Sequence, residues 1–293
     1  MTTRVFRGWL LFASLLALCL AAGAGLVRTQ SAEKSLFVSV LDASGKPVTD
    51  ITAADFAVRE DGMDREVVKA TPAADPLRIA LLVDTTSEAE AYVRDIRVGI
   101  KAFIQDVLAK SPESQISLWE FGQASVRIKD FTSDAAALEK EAGRLFPKPQ
   151  AASVLLEALY DASEALANRP SPRRAIVVLN LEPSDEQSRQ QPNKITDSLM
   201  RSRAQLWAVS VQKGSLRNAQ RDLVLSTLVR NAGGRREFIV AQSAIEGYMR
   251  QYAAALTAQY ELTYTRPSGR PQVVQTGVRR NGLQVIAGIF APQ

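Results

Sequence analysis

The chain has 293 residues, 46% of them apolar, with a formal net charge of +5, enough for one large domain or two modest ones around an ordinary packed core. It contains no histidine and a single cysteine, Cys19, inside an N-terminal apolar run. These counts exclude Ser-His and Cys-His catalysis, imidazole metal sites, and any disulfide, thiolate nucleophile or zinc or iron–sulfur ligand set in the folded portion.

Arg4 and Arg7 supply two of the five net charges and precede an apolar run over residues 8–27, after which Arg28-Thr29-Gln30-Ser31 is polar. This is the charge and hydropathy order of a secretory signal, with small residues at Ala22-Gly23-Ala24 for cleavage. The run is also long enough to remain as a membrane anchor through residues 8–27. Either way the expectation is an exported chain: periplasmic, envelope-associated or secreted. Leu18 stands before Cys19 where a lipoprotein would carry a small residue. Elsewhere basic residues alternate with acidic ones, apart from the pairs Arg173-Arg174, Arg235-Arg236 and Arg279-Arg280, a pattern that argues against nucleic acid as a partner.

Residues 35–71 predict short strands and turns. Residues 35–41 alternate in part, Asp42-Ala43-Ser44-Gly45-Lys46-Pro47 is a turn cluster, and residues 55–60 put Phe56 and Val58 on one side before a tight hairpin turn at Asp61-Gly62. A further strand covers 65–70, and 72–76 forms a linker. From residue 77 to 265 strands alternate with helices, the pattern of a doubly wound, mostly parallel sheet with helices on both faces. Leu77-Arg78-Ile79-Ala80-Leu81-Leu82-Val83 is a nearly unbroken apolar run, as a strand covered on both faces requires, and it ends in the polar turn Asp84-Thr85-Thr86-Ser87-Glu88. Helical spacing follows over 88–110, two strands joined through Gly122 over 114–121 and 125–128, and a helix capped by Asp134 running to about 146. A loop at 147–153 precedes a helix over 154–168. The second buried strand lies at 174–181, a polar loop with a following helix extends to 203, and the third strand covers 204–211. The remaining elements are a helix over 216–232 stopped by Gly233-Gly234, a short strand at 237–240, a helix over 244–257 and a strand at 259–264. Residues 266–293 return to turns and strands. Isolated hairpins are marginal, so the two β-rich ends, 35–71 and 266–293, are expected to pack together as a small β layer.

With these elements in place the chain resembles a von Willebrand factor type A domain, and more narrowly the exported type A-related proteins described from Acidobacteria. The likeness rests on Val38 to Val48 followed by Ala54 to Gly62, on Leu81-Leu82-Val83-Asp84, on Leu156-Glu157-Ala158-Leu159-Tyr160-Asp161-Ala162, and on the closing segments 259–264 and 278–285. Members that bind metal use an Asp-x-Ser-x-Ser turn, a Thr from a second loop and an Asp from a third, giving oxygen ligands to Mg²⁺ or Ca²⁺ with one position left for a partner's acid. By that resemblance Asp84 and Thr86 fill the first two positions, Glu88 replaces the second serine, Ser153 stands for the threonine, and Leu181 replaces the third-loop aspartate, with Glu182 and Asp185 nearby. The implied metal set of Asp84, Thr86 and Ser153 is therefore incomplete, and no cofactor is expected. A plainer role for Asp84 is to cap the following helix.

Other constellations carry less. Asp185-Glu186, or Asp55 with Asp61, are acidic pairs in turns, where carboxylates are normally solvated. No Gly-x-Ser-x-Gly elbow, Gly-x-Gly-x-x-Gly or Walker loop is present. Trp119 and Trp207 sit in strand patterns and are expected in the core. The reading is a non-enzymatic module that binds another protein at a rim of Asp84, Thr86, Ser87, Glu88, Ser153, Glu182 and Asp185. The alternatives are an envelope assembly component with a vestigial rim and a metal-dependent adhesion domain with a non-standard ligand set.

Overall fold

The computed structural model describes residues 32–213, 218–267 and 269–292. The signal or anchor expected at 1–27 lies outside the described residues.

The centre of the molecule is a six-stranded sheet in the order β10-β9-β8-β5-β6-β7. Its strands are β5 (Leu77–Val83), β6 (Gln115–Glu120), β7 (Val126–Thr132), β8 (Arg173–Leu181), β9 (Gln205–Val211) and β10 (Arg236–Ile239). All neighbours run parallel except β7, which pairs antiparallel with β6 across the Gly122 connection. The apolar run of β5 is explained by what lies on each side. Leu77, Ile79, Leu81 and Val83 face a layer of α1 (Val93–Lys110), α2 (Ala135–Ala142) and α6 (Ile245–Thr257). Ala80 and Leu82 face α3 (Leu155–Ala167), α4 (Pro192–Ser202) and α5 (Ala219–Ala232). With period-two alternation and a helix layer on each face, both residue sets must be apolar. Each such side chain contributes about 1.5–3 kcal/mol by leaving water. This is the doubly wound α/β class. Trp119 and Trp207 are both core residues.

Two antiparallel sheets flank this body. One has the order β13-β1-β11-β4, with β1 (Ala32–Leu41), β4 (Val67–Pro72), β11 (Tyr260–Arg266) and β13 (Gln284–Ile286). The other has the order β12-β2-β3, with β2 (Phe56–Glu60), β3 (Met63–Arg65) and β12 (Val274–Val278). Val38, Val40, Phe56, Val58, Tyr260, Leu262, Tyr264 and Val274 form their shared core. Asp61 and Gly62 turn the β2–β3 hairpin with φ of 45° and 83°. Positive φ at both central residues is the primed turn that matches strand twist. Polar bonds tie this layer to the central body: Ser39 Oγ donates to Ala255 O at 2.9 Å, and Arg173 donates to the carbonyls of Ala73, Asp75 and Leu256.

Several sequence expectations are corrected. The strand expected over 65–70 is two strands broken at Glu66, because β3 hydrogen-bonds to β2 while β4 pairs with β11. The strand Tyr260–Arg266, read as the end of the α/β span, pairs with β1 and β4 in the flanking sheet instead. The helix expected to reach 146 stops at Ala142, where Gly143 and the 147–153 loop take over. The helical pattern from Glu88 begins as a 3-10 turn, Ser87–Ala91, and becomes α-helical only at Val93.

Candidate functional site

Strand order reverses beside β5: the chain leaves it for β6 on one side and later returns to β8 on the other. Loops leaving the carboxyl ends of β5 and β8 therefore meet at the switch point, where α/β sheets place their ligands. Backbone hydrogen bonds draw three loops together here. Lys148 N donates to Thr85 O at 2.8 Å, Ser87 N to Ala151 O at 3.3 Å, and Ser153 N to Asp185 O at 2.7 Å. Gly122 makes the close approach possible. A Cβ at that position would stand 2.5 Å from Thr85 O.

Asp84 is fully buried at the mouth of β5. Its Oδ1 accepts from Thr86 N at 2.9 Å, and its Oδ2 accepts from Leu181 N at 3.0 Å and from Ser184 Oγ at 3.4 Å. The carboxylate thus closes an Asx-type turn and bridges β5 to the end of β8; the α-helix it was expected to cap starts nine residues on, at Val93. Burial pushes the Asp84 carboxyl up, against the hydrogen bonds from Thr86 and Leu181 and the nearby charge of Arg221. Thr86 is also fully buried, its hydroxyl 2.7 Å from Ser184 Oγ.

Ser153 donates to Glu186 Oε2 at 3.0 Å and caps Leu155 N at 3.3 Å. Glu186 also accepts from Ser188, and burial pushes its carboxyl up against the pull of Ser188, Arg221 and Ser153. Glu182 points inward. Its Oε1 accepts from Asn180 Nδ2 and Arg236 Nη2, both at 2.7 Å. Arg236 continues the chain of contacts to Ser210, Asp222 and Ser226.

At the centre of this network is Arg221, whose side chain is fully buried. Its Nη2 donates to Glu182 O at 2.7 Å and Leu181 O at 3.1 Å, and its Nη1 stands 3.6 Å from Glu186 Oε2. Asn218 caps α5 by accepting from Arg221 N at 3.0 Å, which aims the arginine at the site from the first turn.

Of the seven residues expected at a rim, Asp84, Thr86, Ser153 and Glu182 lie beneath the surface. Only Ser87, half-buried Glu88 and Asp185 reach solvent. The four buried side chains are not available to a partner, because they are covered by the loops that their hydrogen bonds join. Leu181, where the resemblance implied a lost aspartate, contributes through its backbone: its N–H binds Asp84 and its carbonyl binds Arg221. Arg221, Ser184, Glu186 and Arg236 were not singled out from the sequence. One signal did exist. Arg221 lies on the stripe of α5 that continues as Leu225, Leu228, Val229 and Ala232, so a charge sits where helical spacing calls for an apolar side chain.

No family model matches the chain, and no curated protein matches it in sequence. Its likeness to solved structures is clear in fold. The chain superposes on a von Willebrand factor type A protein from Catenulispora acidiphila with a TM-score of 0.51 at 9% identity, over 90% of this chain and 75% of that one. It is also similar to proximal thread matrix protein 1 from the mussel byssus, with a TM-score of 0.49, 13% identity, and coverage of 71% and 50%. The vWF domain of the type V pili tip protein Mfa5 from Porphyromonas gingivalis gives 0.45 and 10%, over 62% of this chain and 95% of that domain. The first of these, with the strand order above, defines the fold as that of a von Willebrand factor type A domain.

Proposed function

We propose that this chain is an exported, non-enzymatic protein-interaction module whose rim works without a bound divalent cation. One observation carries the reading: at the switch point of a type A fold, the exposed rim of Ser87, Glu88 and Asp185 stands on a floor whose charges are already answered internally. A hard divalent cation takes about six oxygen ligands. Here Asp84 accepts from two backbone N–H groups, Ser153 Oγ accepts from Leu155 N and donates to Glu186, the Thr86 hydroxyl pairs with that of Ser184, and the positive charge is a guanidinium. As placed, no group of three or more acidic residues among the described residues closes on one point. The donor set does not fit the metal that the resemblance implied.

Asp84 and Glu186, carboxyls of the raised kind that acid–base catalysts use, are tied into structural bonds beneath the rim, which supports a binding role over a catalytic one. Export rests on the charge and hydropathy order of residues 4–31. Among the described residues no helix is long and apolar enough to cross a membrane. The partner is another protein, met by the acidic rim.

The test is capture of a partner from the native envelope on immobilised protein, followed by affinity measurement with that purified partner. Glu88→Ala combined with Asp185→Ala is expected to weaken binding about tenfold, the equivalent of 1.4 kcal/mol, while a chelator leaves it unchanged. Equal affinity in the double variant, or loss of binding on chelation, overturns the proposal.

A further inference from the structure

Beneath the rim, three carboxylates from two loops are spread around one arginine without closing on a common point themselves. Asp84 comes from the β5 turn, and Glu182 and Glu186 from the loop after β8, with hydroxyls from Thr86, Ser153 and Ser184 among them. Three carboxylates buried together require counter-charge, since an unpaired buried charge is among the most costly features a fold can hold. Arg236 answers Glu182 from one side. Arg221 reaches the rest: 3.9 Å from Glu182 Oε2, 3.6 Å from Glu186 Oε2, and one peptide away from Asp84 through Leu181, which donates to Asp84 and accepts from Arg221.

The way Arg221 is held is informative. A guanidinium has five N–H donors and, when placed for its hydrogen bonds, uses them in a fork. Arg221 uses one nitrogen, Nη2, for two carbonyls, while its buried Nε and Nη1 have no hydrogen-bond partner, nor has Glu182 Oε2 opposite. Its position is that of a charge among acids more than of a hydrogen-bonding strut.

We propose that Arg221 is the resident cation of this site, doing through a covalently attached guanidinium what a free cation would otherwise have to do, and that the space it fills is a latent cation site. Because the charge is attached to α5, the loops at 84–88, 148–153 and 181–193 keep one arrangement whatever the divalent cation concentration outside.

The experiment uses the full chain and reads melting temperature and Mn²⁺ binding by electron paramagnetic resonance. The wild type is expected to show neither a shift with Mn²⁺ nor saturable binding. Arg221→Ala is expected to melt lower and to recover saturably with ethylguanidinium or with Mn²⁺, but not with ethylurea, which has a similar shape and no charge. Mn²⁺ bound to the wild type and lost in Asp84→Ala overturns the proposal, as does recovery by ethylurea equal to that by ethylguanidinium, or recovery by neither cation. If Arg221→Ala does not fold, Arg221→Met is compared with Arg221→Met carrying Glu182→Gln and Glu186→Gln. The charge-balanced variant is expected to be the more stable, and equal or lower stability overturns the assignment. No partner enters these measurements, so failure of the rim as a binding surface leaves this assignment standing, while failure of the rescue in Arg221→Ala leaves the rim's partner binding untouched.

Discussion

Glu60 ends a strand whose other inward residues are Phe56 and Val58, and it is as buried as they are. Arg266 binds it through Nε and Nη2, Arg65 through Nε at 3.1 Å, and Tyr264 donates its hydroxyl at 2.5 Å. Burial alone pushes the Glu60 carboxyl up, but these partners outweigh burial and hold it below the ordinary glutamate value of 4.5. A depressed folded value means stability that is present above about pH 4.5 and lost as pH falls through the folded value. Glu60→Gln should therefore cost about 3 kcal/mol at neutral pH, by leaving Arg266 unanswered, and should flatten the acid limb of the stability profile. Urea titrations across pH 3–7 check both, where about 3 kcal/mol is several times the usual measurement error. Glu186 has the opposite sign. Its folded value is raised, so its contribution is complete below pH 4.5 and is lost as pH rises through the folded value. Glu186→Gln should flatten the rise-side loss in the same titration and leave the acid limb intact.

One close backbone contact and one helix cap set local geometry at the scale of elements. Gly122 follows β6 and lies against Thr85, so that Gly122→Ala pushes a methyl into the Thr85 carbonyl. A cost of about 2–3 kcal/mol is expected, with displacement of the 84–88 turn, and a urea melt with a crystal structure of the variant checks it. Asp134 shows a milder effect. Its carboxylate accepts from Ala137 N at 3.0 Å at the start of α2, and Asp134→Ala should cost about 1 kcal/mol by the same measurement. Asp134 was legible as a cap because the rule is local. The Gly122 contact was not, since the glycine says only that a close approach exists and leaves its partner unnamed. Arg221 and Glu60 fall between these cases. Each lies on the apolar face of its own element, at helical spacing in α5 and at period two in β2, so the periodicity marks a buried charge without saying what answers it.

For the whole molecule, the flanking layer depends on both ends of the chain. β1 pairs with β11 and with β13, and β2 pairs with β12, joining residues more than two hundred positions apart. Removing residues 274–292 takes away β12 and β13 and uncovers Phe56, Val58 and Val40. The truncated chain should melt at a lower temperature and bind a hydrophobic dye at temperatures where the intact chain does not, as circular dichroism and dye fluorescence would show. An unchanged melting curve would mean that β1, β2 and β11 hold the layer alone.

Composition and local pattern were sufficient for the α/β class, the buried strand at 77–83, the Asp61-Gly62 turn and the nearness of polar groups to the end of that strand, because each follows from periodicity or from conformational rules acting over a few residues. Which strands pair, that 260–266 leaves the central sheet, and that Asp84, Thr86, Ser153 and Glu182 lie inside around Arg221 were decided only by tertiary structure. The reason is physical: charge balance in a low-dielectric interior is a property of groups brought together in space, and Arg221 reaches Glu182 and Glu186 only once α5 has packed against the end of β8.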